Sequence, residues 1–221
     1  MSLPSLSLLE ARVLGVLVEK RRTVPDAYPL TLLALTAGCN QKTSRDPIID
    51  AAEAEVQVAI DRLKGLSLVV ESSGGRVMRY AHNVERVLAI PEQAVALLAV
   101  LMLRGPQTVG ELRINCERLH RFADISAVEG FLHELAARPA GALVTELPRQ
   151  PGARETRWAH LLSGTPAESA PVAGSGQPLG DAISLSEVAM LRADVTRVEA
   201  ELATLRATVA KLCAELGVPA P

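Results

Sequence analysis

The sequence predicts a mostly α fold of the α+β kind, built from two copies of one unit and followed by a separate amphipathic helix. Three observations predict it. The tetrapeptide RYAH at Arg79–His82 returns as RWAH at residues 157–160. Around each copy the apolar positions repeat in order. Leu14 and Leu17 have counterparts in Leu98 and Leu101, Cys39 in Cys116, and Val56, Ile60 and Leu63 in Val128, Leu132 and Leu135. The offsets drift by a few residues, as they do when two copies of a supersecondary unit differ in loop length. Finally, 48% of the 221 residues are hydrophobic but only 2% aromatic. The core must therefore be made of Leu, Val, Ile and Ala, a composition that favours helices over large sheets.

In the first copy, Ser7 is a candidate N-cap with Glu10 as its capping-box partner. Leu9, Val13, Leu14, Leu17 and Val18 then follow at helical spacing. Pro25 and Pro29 break the chain. A short second helix is expected over residues 30–37, stopped by Gly38, and CNQKTSRDPIID forms a polar connection. A third helix is expected from about residue 51 to residue 64, with Val56, Ala59, Ile60 and Leu63 inward and Gly65 ending it. LVVE, SSGG and RVMRYAH then form a hairpin. In the second copy Pro91 opens the first helix, Thr108 caps the second, Asp124 or Ser126 starts the third, and ALVTELPR with ETRWAHLL forms a longer hairpin.

Three helices followed by a hairpin is the winged helix-turn-helix arrangement. The expected organisation is a winged-helix domain at residues 1–88, a second at 89–162, a Ser/Gly/Pro/Ala-rich linker at 163–182 and a coiled-coil helix at 183–217. Tyr80 and Trp158 are expected to anchor the two aromatic-poor cores. In the last helix Val188, Leu191, Val195, Val198, Leu202, Leu205, Val209, Leu212 and Leu216 alternate at spacings of three and four. That is a heptad seam, and a second copy of the chain is its simplest partner. A homodimer is the expectation, with folding back onto the winged domains as the alternative. The flanking charges leave the orientation of the pair open, since Glu201 meets Arg206 favourably in a parallel dimer while Asp194 faces Glu199.

With these elements placed, VPDAYPLTLLALTAGCNQKTSRDPI (residues 24–48), EAEVQVAIDRL (53–63), RGPQTVGELR (104–113) and the RYAH strand mark a resemblance to the YceH-like family of bacterial proteins. It covers about residues 6–162. The resemblance implies tandem winged helices and a cytoplasmic location, and it assigns no activity.

Catalytic signatures are lacking. No GxSxG, HExxH or Gly-rich phosphate loop occurs, so an enzyme is not expected, nor a cofactor. Cys116 and His120 stand four apart on one helix, with His133 further on, but a buried thiol beside a surface imidazole is the simpler reading. The three cysteines lie far apart and are expected to stay reduced. Glu10 and Arg12 interrupt the first apolar run, so neither a secretory leader nor a membrane span is expected.

Charge leaves two functions open. Residues 1–88 carry eleven basic against ten acidic side chains and residues 89–162 eight against eight, so neither half is basic overall. In the first half, Lys42 and Arg45 fall in the turn before the third helix and Arg76 and Arg79 in the wing. Gln41, Thr43 and Ser44 offer hydrogen bonds alongside. These seven residues form a candidate surface for DNA or a protein partner. Against DNA, the third helix begins with Asp50, Glu53 and Glu55, and its second copy carries Asp124 and Glu129. That helix end is where a helix-turn-helix meets bases. The leading expectation is a dimeric DNA-binding regulator. The alternative is an interaction scaffold that makes no direct DNA contact.

Overall fold

A computed structural model describes residues 5–73, 77–150 and 152–164. Helix α1 (Leu8–Thr23) starts at the box read from the sequence. The Glu10 N–H donates to Ser7 Oγ at 3.2 Å, and the Ser7 N–H donates to the Glu10 carboxylate at 2.7 Å. A 3₁₀ turn (Pro25–Ala27) leads to strand β1 (Leu30–Thr31) and helix α2 (Leu32–Cys39). Leu30 and Thr31, expected in the second helix, instead pair with Tyr80 and Arg79. Gly38 does not stop α2. It lies inside the helix, where a Cβ would stand 2.6 Å from Val16 Cγ1, so its missing side chain is what lets α2 close on α1.

Helix α3 (Glu53–Gly65) buries Val56, Ala59, Ile60 and Leu63, as the spacing predicts. Ser67, not Gly65, takes the left-handed conformation after it, with φ 60°. Strands β2 (Val69–Ser72) and β3 (Arg79–His82) run antiparallel, with Val69 opposite His82 and Glu71 opposite Tyr80. β1 adds to the other side of β3, giving the order β1-β3-β2. A short helix α4 (Val84–Leu88), not foreseen from the sequence, joins the halves.

The second half repeats the order. Helix α5 (Glu92–Arg104) is followed by α6 (Val109–Asn115), which Thr108 and Glu111 cap as a second reciprocal box, at 3.2 and 2.8 Å. Asp124 caps α7 (Ile125–Ala136) by accepting from the Ala127 N–H at 2.8 Å. Strands β4 (Val144–Glu146) and β5 (Trp158–His160) close the half. Gln107 exchanges backbone hydrogen bonds with Trp158, at 3.0 and 2.7 Å, in the place where Leu30 faces Tyr80. The equivalence of RYAH and RWAH thus extends to their strand partners. The described residues form a mixed α+β protein with seven α-helices and two small antiparallel sheets.

Packing is centred on α1 and α5. Residues 11–18 and 94–103 are buried on all sides, the pattern of helices enclosed by other elements rather than lying on a surface. The two helices meet at Gly15, where a Cβ would stand 2.9 Å from Leu103 Cγ. One apolar cluster therefore runs from Leu14, Leu17 and Ile60 through Leu97 and Leu101 to Leu112 and Leu132. Each such fully buried side chain contributes about 1.5–3 kcal/mol of transfer free energy. Tyr80 and Trp158 sit at its two ends, 5% and 4% exposed, and Tyr80 Oη donates to Gln57 Oε1 at 3.2 Å. No described helix is long and apolar enough to cross a membrane.

Candidate functional site

The polar connection between α2 and α3 is fastened from inside. Asn40 holds both backbone groups of Ala51: its Nδ2 donates to the Ala51 carbonyl, and its Oδ1 accepts the Ala51 N–H, each at 2.9 Å. The guanidinium of Arg12, fully buried on α1, donates to the carbonyls of Cys39 at 3.2 Å and Pro47 at 2.6 Å. Burial, with Arg45 close by, holds Arg12 below its ordinary pKa.

Arg45 is the second fastener. It was expected on the outer face of the turn, but its side chain is 0% exposed. Its Nη1 and Nη2 reach the two Glu19 oxygens at 3.2 and 2.6 Å, and its Nε reaches the Gly38 carbonyl at 3.1 Å. A desolvated guanidinium needs such a carboxylate and carbonyl acceptors, and α1 supplies the carboxylate one turn before its end. Burial pushes the Glu19 carboxyl up, but the hydrogen bond and charge of Arg45, with Lys20 beside it, outweigh burial and hold it below the usual range. Arg45 is thus withdrawn from any phosphate.

The other candidate residues scatter. Lys42 and Thr43 are exposed, and Thr43 Oγ1 accepts from Gln41 Nε2 at 3.1 Å. Ser44 is half-buried at φ 60°, and its hydroxyl accepts from Arg104 Nη2 at 2.7 Å. Arg79 is exposed but bends back onto the carbonyls of Pro29 at 2.8 Å and Ala27 at 3.4 Å. Arg76 and the whole seam from Val188 to Leu216 lie outside the described residues.

The outward faces of the third helices carry a different chemistry. On α3, Glu53, Glu55 and Asp61 are exposed, and Glu55 and Asp61 stand three residues to either side of Val58, which is 70% exposed. Its cations are engaged: Arg62 with Glu10 at 3.3 Å, and Lys64 with Glu71. On α7, Glu129 and Glu134 are exposed, Ile125 is 48% exposed, and the helix contains no Lys or Arg. Elsewhere Arg21 pairs with Glu85 at 2.9 Å, Arg22 with Glu92, and Arg157, just before β5, with Glu111 at 3.6 Å. Such surface pairs add little stability, but each one occupies a cation.

Two residues of the candidate surface, Gln41 and Ser44, stand between the two halves beside others that sequence reasoning passed over. Lys20 on α1, Gln41 and Ser44 from the first turn, Arg104 at the end of α5, Asn115 at the end of α6 and Arg118 from the turn after it line one cleft. The sequence gives little signal for the cations, since Lys20 and Arg104 read as ordinary helix ends and Arg118 falls in a polar turn. Cys116, His120 and His133 do not come together. Cys116 is buried, with its thiol pushed up to about 12 by desolvation. His120 meets Phe122 edge-on, with ring centres 4.7 Å apart, and His133 meets Trp158 at 5.3 Å. No group of three or more potential metal ligands is gathered among the described residues.

Fold and surface together define a mixed α+β protein of two related halves, joined through their first helices. Residues 6–153 match the model of the family described as "Protein of unknown function, DUF480". The chain is 62% identical over 206 residues to a UPF0502 protein of Dechloromonas aromatica (strain RCB), covering 93% of this chain and 95% of that protein. A UPF0502 protein of Burkholderia pseudomallei (strain 668) is 58% identical over 218 residues, covering 98% and 92%. One of Leptothrix cholodnii is 57% identical over 211 residues, covering 95% of each. The chain belongs to this DUF480/UPF0502 family of bacterial proteins.

Proposed function

We propose that the protein is a non-enzymatic adaptor of the bacterial cytoplasm. Its two halves act as winged helices that bind protein partners through their third helices. The heptads from Val188 to Leu216 pair two copies of the chain, so each dimer presents four such faces. The observation that carries this reading is the surface of α3 and α7: exposed carboxylates around an exposed aliphatic side chain, with no free cation on either helix. A duplex would meet repulsion there, because phosphate contacts supply most of DNA affinity. A protein surface with an apolar centre and a basic rim is the complementary shape. The burial of Arg45 and the engagement of Arg79 favour the same ordering, in which the scaffold precedes the DNA-binding regulator.

A photo-cross-linking residue placed at Val58, at Ile125 or, as a control, at Gly141 tests the reading in cells. Discrete protein adducts are expected from the first two positions and none from the third. Adducts to DNA from Val58, or equal labelling from all three, overturns it.

A further inference from the structure

The cleft between the two turns is unlike the rest of the surface. Its volume is about 140 Å³, and both halves build it. Three cations line it, Lys20, Arg104 and Arg118, against one carboxylate, Glu19. That carboxylate is already taken by Arg45 from behind, at 2.6 Å, and by Lys20 at 3.3 Å. Among the described residues neither Arg104 nor Arg118 has an ion-pair partner. Most other cations near the junction do, including Arg21, Arg22 and Arg157.

Neutral groups complete the wall. Ser44 is held in the left-handed region at φ 60° and turns its hydroxyl to Arg104. A strained non-glycine residue at such a place persists because its surroundings fix it, which is common where a ligand is gripped. Gln41 and Asn115 add amides, and Val100, Leu103 and Leu119 supply an aliphatic side. Net positive charge in a concave, partly desolvated site attracts a multiply charged anion far more strongly than the same charges spread over an open surface. Arginine in particular suits planar or tetrahedral oxyanions, through paired N–H donors.

The geometry points to a binding site for a small oxyanion ligand, a phosphorylated or polycarboxylate molecule, held by Arg104 and Arg118 with Lys20 at the rim. Because its walls come from both halves, the occupied cleft bridges α1 and the second half. The site is independent of the adaptor reading.

Calorimetric titration of the full chain with pyrophosphate, and separately with citrate, tests it in about 0.15 M salt, where diffuse surface attraction is screened. Saturable binding of one ligand per chain is expected for at least one of the two. Arg118 is exposed and its side chain has no hydrogen-bond or ion-pair partner among the described residues, so Arg118→Gln should fold as wild type while weakening binding at least about tenfold. Lys42→Gln, just outside the cleft, should bind as wild type. No saturable binding of either anion overturns the site, as does equal weakening by Lys42→Gln and Arg118→Gln. A short DNA duplex that displaces pyrophosphate and depends on Arg118 to the same degree would assign the cations to a nucleic-acid backbone. That result overturns the small-ligand site and the adaptor reading together, whereas simple absence of anion binding leaves the adaptor reading standing.

Discussion

Arg45→Ala separates an interior fastener from a surface cation. The wild-type guanidinium makes five hydrogen bonds: two to Glu19, at 3.2 and 2.6 Å, and one each to the Gly38 carbonyl, the Ser44 carbonyl and Gln41 Oε1. Its removal leaves Glu19, whose side chain is 13% exposed, with only Lys20 at 3.3 Å. Breaking one partner of a buried ion pair costs about 3–5 kcal/mol, because the other charge stays desolvated. That is a large share of the roughly 5–15 kcal/mol available to a folded domain, and at about 2–4 °C per kcal/mol it lowers Tm by roughly 10 °C. The double variant Arg45→Met with Glu19→Leu should recover much of the loss, since it removes both charges and keeps the volume. Urea unfolding of the three proteins, with Lys42→Ala as the exposed control, gives the comparison. If Arg45→Ala loses no more than Lys42→Ala, the arginine is a surface residue and the fastening argument is wrong.

Three further outcomes follow from the same structure. Burial drives the His82 and His160 imidazoles down to about 4, from an ordinary value near 6.5; Glu85 opposes this at His82, while Arg21 and Arg22 reinforce it. The unfolded chain therefore takes up more protons between those values. Stability should be fully present above about pH 6.5 and fall by about 2 kcal/mol per histidine by pH 5, and a flat urea midpoint across that window would contradict the burial of both rings. Gly15→Val should cost about 1–3 kcal/mol by overpacking, because even a Cβ would stand 2.9 Å from Leu103 Cγ, whereas Gly65→Ala, with nothing within 4 Å, should be close to neutral. Cutting the chain after Glu168 should turn a dimer into a folded monomer, and a cut protein that still sediments as a dimer would remove the heptads from that role.

The local signals were legible because short-range rules govern them. Ser7 with Glu10, Thr108, and Asp124 cap the helices assigned to them, and Val56, Ile60 and Leu63 face inward because a period of 3.6 puts them on one side. The RYAH and RWAH strands stand at equivalent places because each pairs with a segment just before its unit's second helix. What was not legible is non-local. Leu30 and Thr31 look helical in sequence, and only their partners on β3 make them a strand. Gly38 looks like a stop, and only Val16 explains a glycine inside α2. Within the candidate surface, the burial of Arg45 was the least legible feature. Its position in a polar turn says solvent, and nothing in the turn reveals that Glu19, 26 positions earlier, lies directly behind it. The same non-locality hid the cleft, whose lining comes from three helices and two turns in both halves.

The most direct test of the adaptor account is fluorescence anisotropy of the full chain against mixed-sequence duplex DNA, titrated across a salt series, beside a variant with Glu53, Glu55 and Glu129 changed to Lys. The account predicts no saturable binding by the wild type at about 0.15 M salt, and binding that appears in the triple variant with a steep salt dependence, since three repulsive charges become attractive. Saturable wild-type binding at that salt, weakened by Lys42→Ala and Arg79→Ala and with each substitution lowering the salt slope by about 1, would contradict it and return the third helices and the β2–β3 hairpin to DNA.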